Sequence, residues 1–189
     1  EQISVVTQTA FSIQSTKPIS GGDINRAFLL QGKNTRYFVK LNRAELVEMF
    51  AAEFAGLTEM AQTQTVKVPR PITYGQTTQE SFLVLEFVEL SRALPQSAAR
   101  LGEQLAQLHL KKQPFFGWHI DNTIGSTPQP NARTENWVNF WREQRLGFQL
   151  KLAARKGYGG QLQMLGEKLC ERLEDFFTDY TPQPSLLHG

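Results

Sequence analysis

The sequence of 189 residues has little cysteine, no strong excess of charge of either sign and no long apolar run. Its single cysteine, Cys170, excludes an internal disulfide and argues against a zinc site. A lone cysteine is typical of a reducing compartment, so we expect a cytoplasmic protein. The net charge is only +2, and the charged residues are spread along the chain, so we expect no nucleic-acid partner.

Membrane and targeting segments are also missing from the pattern. The longest apolar run, residues 82–88, contains Glu86 and is too short to cross a bilayer, so no membrane partner is expected. No secretory or transit signal is visible at the start. The first residue is Glu1 rather than methionine, and we expect the sequence to be a piece of a longer protein. Five basic residues, expected to form a solvated helix face, are Arg142, Arg145, Lys151, Arg155 and Lys156.

The first third of the chain predicts a hairpin followed by a helix. Residues 27–30 and 36–41 favour strands, with turn residues between them, and alternation places Lys40 opposite the apolar side chains of its strand. Residues 44–61 have apolar side chains at helical spacing, and Glu53 falls within that apolar stripe. A carboxylate facing a core needs a cation, and Lys40 is the simplest partner.

The pattern changes from strands to helices near residue 90. The sequence VPRP, residues 68–71, returns the chain to the sheet, and residues 82–85 predict an interior strand. Beyond residue 95, three apolar stripes predict helices, the last after a break at residues 157–160. We therefore predict an α+β, two-lobed protein: residues 1–89 as a nucleotide-binding lobe with its hinge, and residues 90–189 as an incomplete helical lobe.

Four features in a fixed order indicate the nucleotide half of a protein-kinase-like fold. They are a glycine-containing loop, a strand lysine, a helix glutamate and a connector after an interior strand. Each has an ordinary alternative, since paired glycines often form a simple turn and strand lysines often lie at the surface. The pairing of Lys40 with Glu53 favours the kinase interpretation, because an unpaired buried carboxylate is costly.

Nine segments resemble, in order, the fructosamine kinases, also called ketosamine or ribulosamine kinases. They are ISGGDIN, YFVKLN, FAAEFAGL, VPRP, FLVLEFVEL, LGEQLAQLH, FGWHIDNTIGSTPQPN, NWVNFWREQRLGFQL and PSLLHG. The resemblance covers essentially the whole chain, and residues 116–150 are its specific part. It implies a transferase that uses ATP and Mg²⁺ to phosphorylate a small-molecule or protein-bound ketoamine in deglycation repair.

The resemblance also implies roles for individual residues. Lys40 matches the ATP-contacting lysine and Glu53 its helix partner, while the phosphate loop and hinge match Ser20, Gly21, Gly22, Asp23, Ile24, Asn25, Glu86, Phe87 and Val88. His188 and Gly189 match the start of an HGD motif analogous to the kinase H-R-D. The catalytic aspartate and the metal ligands are expected beyond Gly189, and the 189 residues alone are expected to be inactive.

Two groups in the helical lobe have both functional and structural interpretations. A polar cluster beside an aromatic suits a sugar-like ligand, or it fixes a loop onto the helices; its members are Trp118, His119, Asp121 and Asn122. His109, at the end of the predicted helix LGEQLAQLH, is expected to be a hydrogen-bonded structural histidine rather than a catalytic one. Two rival functions remain open: a kinase for aminoglycosides, choline or another small alcohol, and a non-catalytic pseudokinase that only binds nucleotide.

Overall fold

The computed structural model describes residues 1–20 and 24–188, which form two compact units. The first unit contains residues 1–109 together with the chain end from Leu187, and the second runs from Leu110 to Leu186. Within this grouping, the first predicted helix of the helical lobe belongs to the unit that contains the sheet. The lobe boundary between residues 89 and 90 stays a prediction.

The first unit contains a five-stranded antiparallel sheet with the order β1-β2-β3-β5-β4. Its strands are β1 (Ser15–Ile19), β2 (Arg26–Gln31), β3 (Arg36–Arg43), β4 (Pro71–Gln76) and β5 (Glu80–Glu86). Strands β2 and β3 confirm the predicted hairpin, and β5 pairs on both sides, as expected of an interior strand. Pro18 lies in β1, an edge strand, which is where a sheet tolerates proline.

Three helices accompany the sheet within the first unit. They are α1 (Gln2–Thr7), α2 (Val47–Gln62), which follows a 3-10 turn at Ala44–Leu46, and α3 (Ser97–His109). The prediction of a helix over residues 44–61 is confirmed. The elements α1 and β1 were not predicted. Helix α1 is only six residues long and β1 is exposed at four of its five positions, so neither has a clear periodic pattern of apolar residues.

The two faces of the sheet carry separate apolar clusters, as strand alternation requires. One contains Ile3, Tyr37, Val39, Ile72 and Val84. The other contains Phe50, Leu83 and Leu85, with partly buried Phe38, Met49, Phe54 and Leu57 packed against it. Because Phe38 and Lys40 are two residues apart on β3, Lys40 shares the sheet face that packs against α2.

The second unit consists of a short hairpin followed by helices. The hairpin is β6 (Asn122–Ile124) with β7 (Thr127–Gln129). One continuous helical path then comprises α4 (Trp137–Phe140), a π-helical segment (Trp141–Leu146) and α5 (Gly147–Arg155). The helix α6 (Gln161–Glu171) follows the predicted glycine break, where Gly157 and Gly160 adopt positive φ angles of 88° and 61°.

One expectation for the helices of the second unit needs correction. Arg142 and Arg145 are not part of a solvated face, because their guanidinium groups donate to backbone and side-chain oxygens within the unit; Lys151, Arg155 and Lys156 are exposed as expected. The last apolar stripe is mostly open to solvent, with Leu173 buried but Leu162, Leu165, Leu169 and Phe176 exposed. Across residues 1–20 and 24–188, no helix is long and apolar enough to cross a membrane.

Candidate functional site

The predicted ion pair between β3 and α2 is present. Lys40 Nζ lies 2.6 Å from Glu53 Oε1, and the two side chains are 27% and 29% exposed. Strand alternation brings Lys40 to the α2 face, while helical periodicity brings Glu53 to the sheet face of α2. The bond fixes the ammonium group, and the partial exposure leaves it accessible from solvent.

The loop before β2 is tied to the strand that carries Lys40. Asn42 Nδ2 donates to the Ile24 carbonyl at 3.2 Å and to Asn25 Oδ1 at 2.7 Å. Of the predicted phosphate loop, Ser20, Ile24 and Asn25 are described, whereas Gly21, Gly22 and Asp23 lie outside the described residues. Asn42 was not predicted as a site residue, although its position two residues after Lys40 places both polar side chains on one face of β3.

The predicted hinge begins at the end of β5. Glu86 is the last residue of β5, and its amide donates to the Arg70 carbonyl at 2.9 Å. Phe87 and Val88 follow outside the strand, and the Arg36 guanidinium lies 4.8 Å from the centre of the Phe87 ring. Because β5 pairs with β3, Glu86 at the start of the predicted hinge and Lys40 belong to neighbouring strands of one sheet.

His188, the first residue of the predicted catalytic motif, contacts His109 at the end of α3. The His109 Nε2 and His188 Nδ1 atoms are 2.9 Å apart and the two ring planes are inclined by only 13°, so the rings meet edge to edge. Gly189, the second residue of the motif, lies outside the described residues. The structural role expected of His109 therefore has a specific partner that the sequence did not reveal.

A cavity of about 500 Å³ in the second unit brings together three of the four predicted substrate residues. It is lined by Trp118, His119, Asp121, Asn131, Ala132 and Arg133. The Trp118 and His119 rings meet edge to face with centroids 4.8 Å apart. The cavity therefore presents aromatic surface, a carboxylate and a guanidinium, the mixture of apolar surface and directed polar groups that small-molecule sites use.

The buried side chain of Asn131 organises the floor of this cavity. Asp121 Oδ1 accepts from the backbone amide of Asn131 at 2.7 Å, and Asn122 Oδ1 accepts from the side-chain Nδ2 of Asn131 at 2.9 Å. Arg145 Nη2 donates to Asn131 Oδ1 at 2.7 Å. Asp121 and Asn122 thus fix the loop, which favours the structural interpretation for these two residues. Asn131 was missed, since an isolated asparagine gives no periodic signal.

Gly117 permits the close approach of two chain segments beside the cavity. Its φ is +97°, and an added Cβ would lie 2.6 Å from the Asn131 carbonyl oxygen and 2.7 Å from that of Ala132. The following amide, Trp118 N–H, donates to the Asn131 carbonyl at 2.9 Å. A side chain at this position would separate the two segments, so the glycine is required by both conformation and space.

Burial changes the acid–base properties of two groups in the second unit. Desolvation by burial lowers the pKa of the Arg145 guanidinium from its ordinary value. Desolvation is also the largest influence on the Cys170 thiol, whose pKa is raised and whose thiolate form is therefore disfavoured. Within residues 1–20 and 24–188, no group of three or more histidine, cysteine, aspartate or glutamate side chains is arranged to hold a metal ion.

Known proteins resemble this chain over its full length. The curated "Probable ketoamine kinase slr1563" of Synechocystis is 43% identical and matches 100% of this chain and 63% of its own length. "Protein-ribulosamine 3-kinase, chloroplastic" of Arabidopsis thaliana is 38% identical over 95% of this chain and 56% of its own. The chain thus spans less than two thirds of the length of these relatives.

A solved structure shares the fold. The crystal structure of a protein from Haemophilus somnus, provisionally described as a fructosamine-3-kinase, superposes with a TM-score of 0.86 at 27% identity, covering 97% of this chain and 62% of that one. The expected α+β, protein-kinase-like fold is thereby confirmed. The family model described as fructosamine kinase matches residues 1–189. The chain therefore belongs to the fructosamine kinase family.

Proposed function

We propose that the complete protein transfers the γ-phosphoryl group of ATP to a hydroxyl group of a sugar-derived ketoamine, a fructosamine or a ribulosamine. The observation that carries this proposal is the 2.6 Å bond between Lys40 and Glu53, a strand lysine paired with a helix glutamate as kinases use to contact the phosphates of ATP. The family and the ketoamine and ribulosamine activities in its relatives' names support the choice of acceptor.

On the nucleotide side, the described residues suit a triphosphate. An ammonium group has three N–H donors, and the bond to Glu53 uses one of them, so phosphate oxygens can accept from the others. The loop that includes Ser20 and Asn25 would cover the phosphates, and the backbone of residues 86–88 would meet the adenine. ATP supplies the transferable phosphoryl group, and we expect its Mg²⁺ to be held by residues beyond Gly189.

On the acceptor side, the cavity lined by Trp118 and His119 is the candidate sugar site. Its volume of about 500 Å³ is within the range that small-molecule sites occupy. An aromatic ring can pack against the apolar face of a sugar, while Arg133 offers hydrogen-bonding groups to its hydroxyls. Asp121 Oδ1 already accepts from the Asn131 backbone amide, so only the second carboxylate oxygen of Asp121 would meet the sugar. Phosphorylation of the hydroxyl group on the sugar's third carbon would make the adduct unstable, so the complete protein would act in deglycation repair. The lone cysteine supports a cytoplasmic location.

The test measures ADP release by the complete protein with ATP, Mg²⁺ and one acceptor at a time. Fructosyl-lysine and ribulosyl-lysine are the candidate acceptors, and kanamycin and choline are the comparison acceptors. We expect kcat/KM for a ketoamine to exceed that for either comparison acceptor by about 100-fold or more, since a site built for a polar group rejects compounds that cannot pair with it. A preference for kanamycin or choline would overturn the proposed acceptor, and binding of ATP without turnover of any acceptor would favour a pseudokinase.

A further inference from the structure

His109 and His188 form a hydrogen-bonded contact that has no role in the proposed function as stated above. His109 is the last residue of α3, and the neighbouring Leu108 is fully buried, so the end of this helix is well anchored. The His109 ring meets His188 with a 2.9 Å distance between Nε2 and Nδ1 and a 5.0 Å distance between ring centroids. Both residues belong to the first unit.

We propose that His109 is a positioning residue that sets the direction of the chain at the start of the predicted catalytic loop. The inference rests on the proposed function, because His188 matters to catalysis only if the HGD motif follows it. His109 would act through His188 and would not itself touch ATP or the acceptor. Its role is to hold His188, the first residue of that motif.

The contact restrains the His188 ring through its hydrogen bond. A hydrogen bond between two imidazoles requires one protonated ring nitrogen and one bare nitrogen, so it fixes the tautomer relation and the ring orientation together. The nitrogens are 2.9 Å apart, the centroids 5.0 Å apart and the ring planes inclined by 13°, so the rings meet edge to edge and the N–H of one ring points toward the bare nitrogen of the other. A ring held in this direction leaves its own backbone less freedom.

The backbone just before His188 is also aligned. Within the second unit, the Leu186 amide donates to the Lys111 carbonyl and the Gln113 amide donates to the Pro184 carbonyl, each at 2.9 Å. Lys112 and Ser185 form an antiparallel bridge between the same two segments. This pairing sets the path of the chain up to Leu186, and the His109 contact extends the restraint to His188.

Such restraint has a direct consequence for phosphoryl transfer. The reaction depends on positioning more than on covalent chemistry, and a displacement of about 1 Å can lower the rate by about 100-fold. Loss of the His109 bond should therefore reduce kcat while leaving ATP binding unchanged, because Lys40 and its neighbours lie on other elements of the unit.

Three substitutions of His109 in the complete protein separate the hydrogen bond from the bulk of the ring. His109→Phe keeps an aromatic ring and removes the hydrogen bond. His109→Gln places an amide near the position of Nε2, whereas the shorter side chain of His109→Asn reaches only about as far as Nδ1. The control is Gln107→Phe, which introduces the same ring at an exposed position in the same turn of α3.

We expect kcat for ketoamine phosphorylation to fall about 10- to 100-fold in His109→Phe and His109→Asn, with recovery to within about threefold of the unsubstituted protein in His109→Gln. The KM for ATP should stay within about twofold in all three, as should both constants in Gln107→Phe. Unchanged kcat in His109→Phe, or equal losses in His109→Phe and His109→Gln, would overturn the positioning role.

A second measurement tests the contact without relying on ketoamine turnover. In complete protein labelled with ¹⁵N-histidine, the ring nitrogen signals of His188 should shift in His109→Phe and return toward their original positions in His109→Gln. If the complete protein phosphorylates no ketoamine but these signals behave as expected, the proposed function fails and the contact stands. If the His188 signals do not respond to His109→Phe, the positioning inference fails whatever the activity.

Discussion

Lys40 and Glu53 form a partly buried ion pair, with side chains that are 27% and 29% exposed. Fully exposed ion pairs contribute about 0–1 kcal/mol, whereas loss of one partner from a fully buried pair costs about 3–5 kcal/mol. The pair between β3 and α2 lies between these limits, because water screens it but does not surround it. Its main effect is to hold the ammonium group in one place.

Substitution of either partner should affect activity more than stability. For Lys40→Met and Glu53→Gln we expect losses of roughly 1–2 kcal/mol in the free energy of unfolding, intermediate between exposed and buried pairs. Lys40→Met should lower kcat by about 100-fold or more, because a charge directed at the transferred phosphoryl group is lost. Urea unfolding and ADP release measure the two effects.

The matched control for this lysine is Lys33→Met, an exposed lysine in the turn of the same hairpin. It should leave both stability and kcat near those of the unsubstituted protein, within about 0.5 kcal/mol for stability. In the double variant Lys40→Met/Glu53→Gln, the loss of stability should be smaller than the sum of the losses in the two single variants, since the first substitution already breaks the pair. Full activity in Lys40→Met would contradict the nucleotide-site assignment.

At the scale of elements, the helical path from α4 to α5 is the least regular part of the second unit. Its π-helical segment brings the Gly147 amide to the Arg142 carbonyl, five residues earlier. The extra residue turns the Arg145 guanidinium toward Asn131 and the Pro130 carbonyl, with the Phe140 ring 4.5 Å beneath it. Segments of this kind often occur at functional sites, and this one supports the floor of the candidate acceptor cavity.

Gly147→Ala tests this segment. An added Cβ would overlap the Arg142 carbonyl oxygen, a backbone atom that cannot move without disturbing the π-helical geometry. We expect a loss of about 1–3 kcal/mol in the free energy of unfolding, as for other overpacked sites. Thermal or urea unfolding measures the loss, and the KM for the ketoamine should rise as the Asn131 floor shifts.

Gly102→Ala is the matched control for that substitution. Gly102 is also a helical glycine, lies in α3, and has no atom within 4 Å of an added Cβ. The exchange should raise the free energy of unfolding by about 0.5–1 kcal/mol, because alanine favours the helix. If Gly147→Ala stabilised the protein as Gly102→Ala does, the steric account of the π-helical segment would be wrong.

Helix α6 shows how one element can be apolar and yet largely uncovered. Gly166 is its buried residue, and an added Cβ there would meet the Leu150 side chain of α5. Close packing therefore occurs along the glycine side, while Leu162, Leu165 and Leu169 remain 40–52% exposed. Helical periodicity predicted the stripe correctly but not the absence of a partner for it within the described chain.

At the scale of the whole molecule, the 189 residues span 63% of the Synechocystis relative and 62% of the Haemophilus structure. We propose that these residues contain the nucleotide-contacting half of the site and that the residues after Gly189 supply the base and the metal ligands. Phosphoryl transfer needs both halves, because positioning of donor and acceptor together lowers the barrier.

Comparison of the 189-residue chain with the complete protein tests this division. The shorter chain should release no ADP above background with any ketoamine, whereas the complete protein should turn over. Nucleotide binding to the shorter chain, followed by calorimetry, should be weak and should weaken further in Lys40→Met but not in Lys33→Met. Ketoamine phosphorylation by the 189-residue chain would show that the second half is not needed.

Local patterns in the sequence determined the parts of this protein that depend on near neighbours along the chain. Alternation in β3 placed Lys40 opposite Tyr37 and Val39, and the helical repeat in α2 placed Glu53 toward the sheet. A buried carboxylate requires a cation, so the ion pair could be predicted from the sequence alone. Short motifs along the chain, most specific between residues 116 and 150, indicated the family, and the family model confirms it.

Only the tertiary structure decided contacts between residues far apart in sequence. Asn131 contacts Asp121 through its backbone amide and Asn122 and Arg145 through its side chain, and His109 meets His188 across 79 positions of sequence. No periodicity encodes such contacts, since they depend on how packed elements bring distant backbones together. For the same reason, charge count alone suggested a solvated face for Arg142 and Arg145, whereas packing of the second unit turned both guanidinium groups inward.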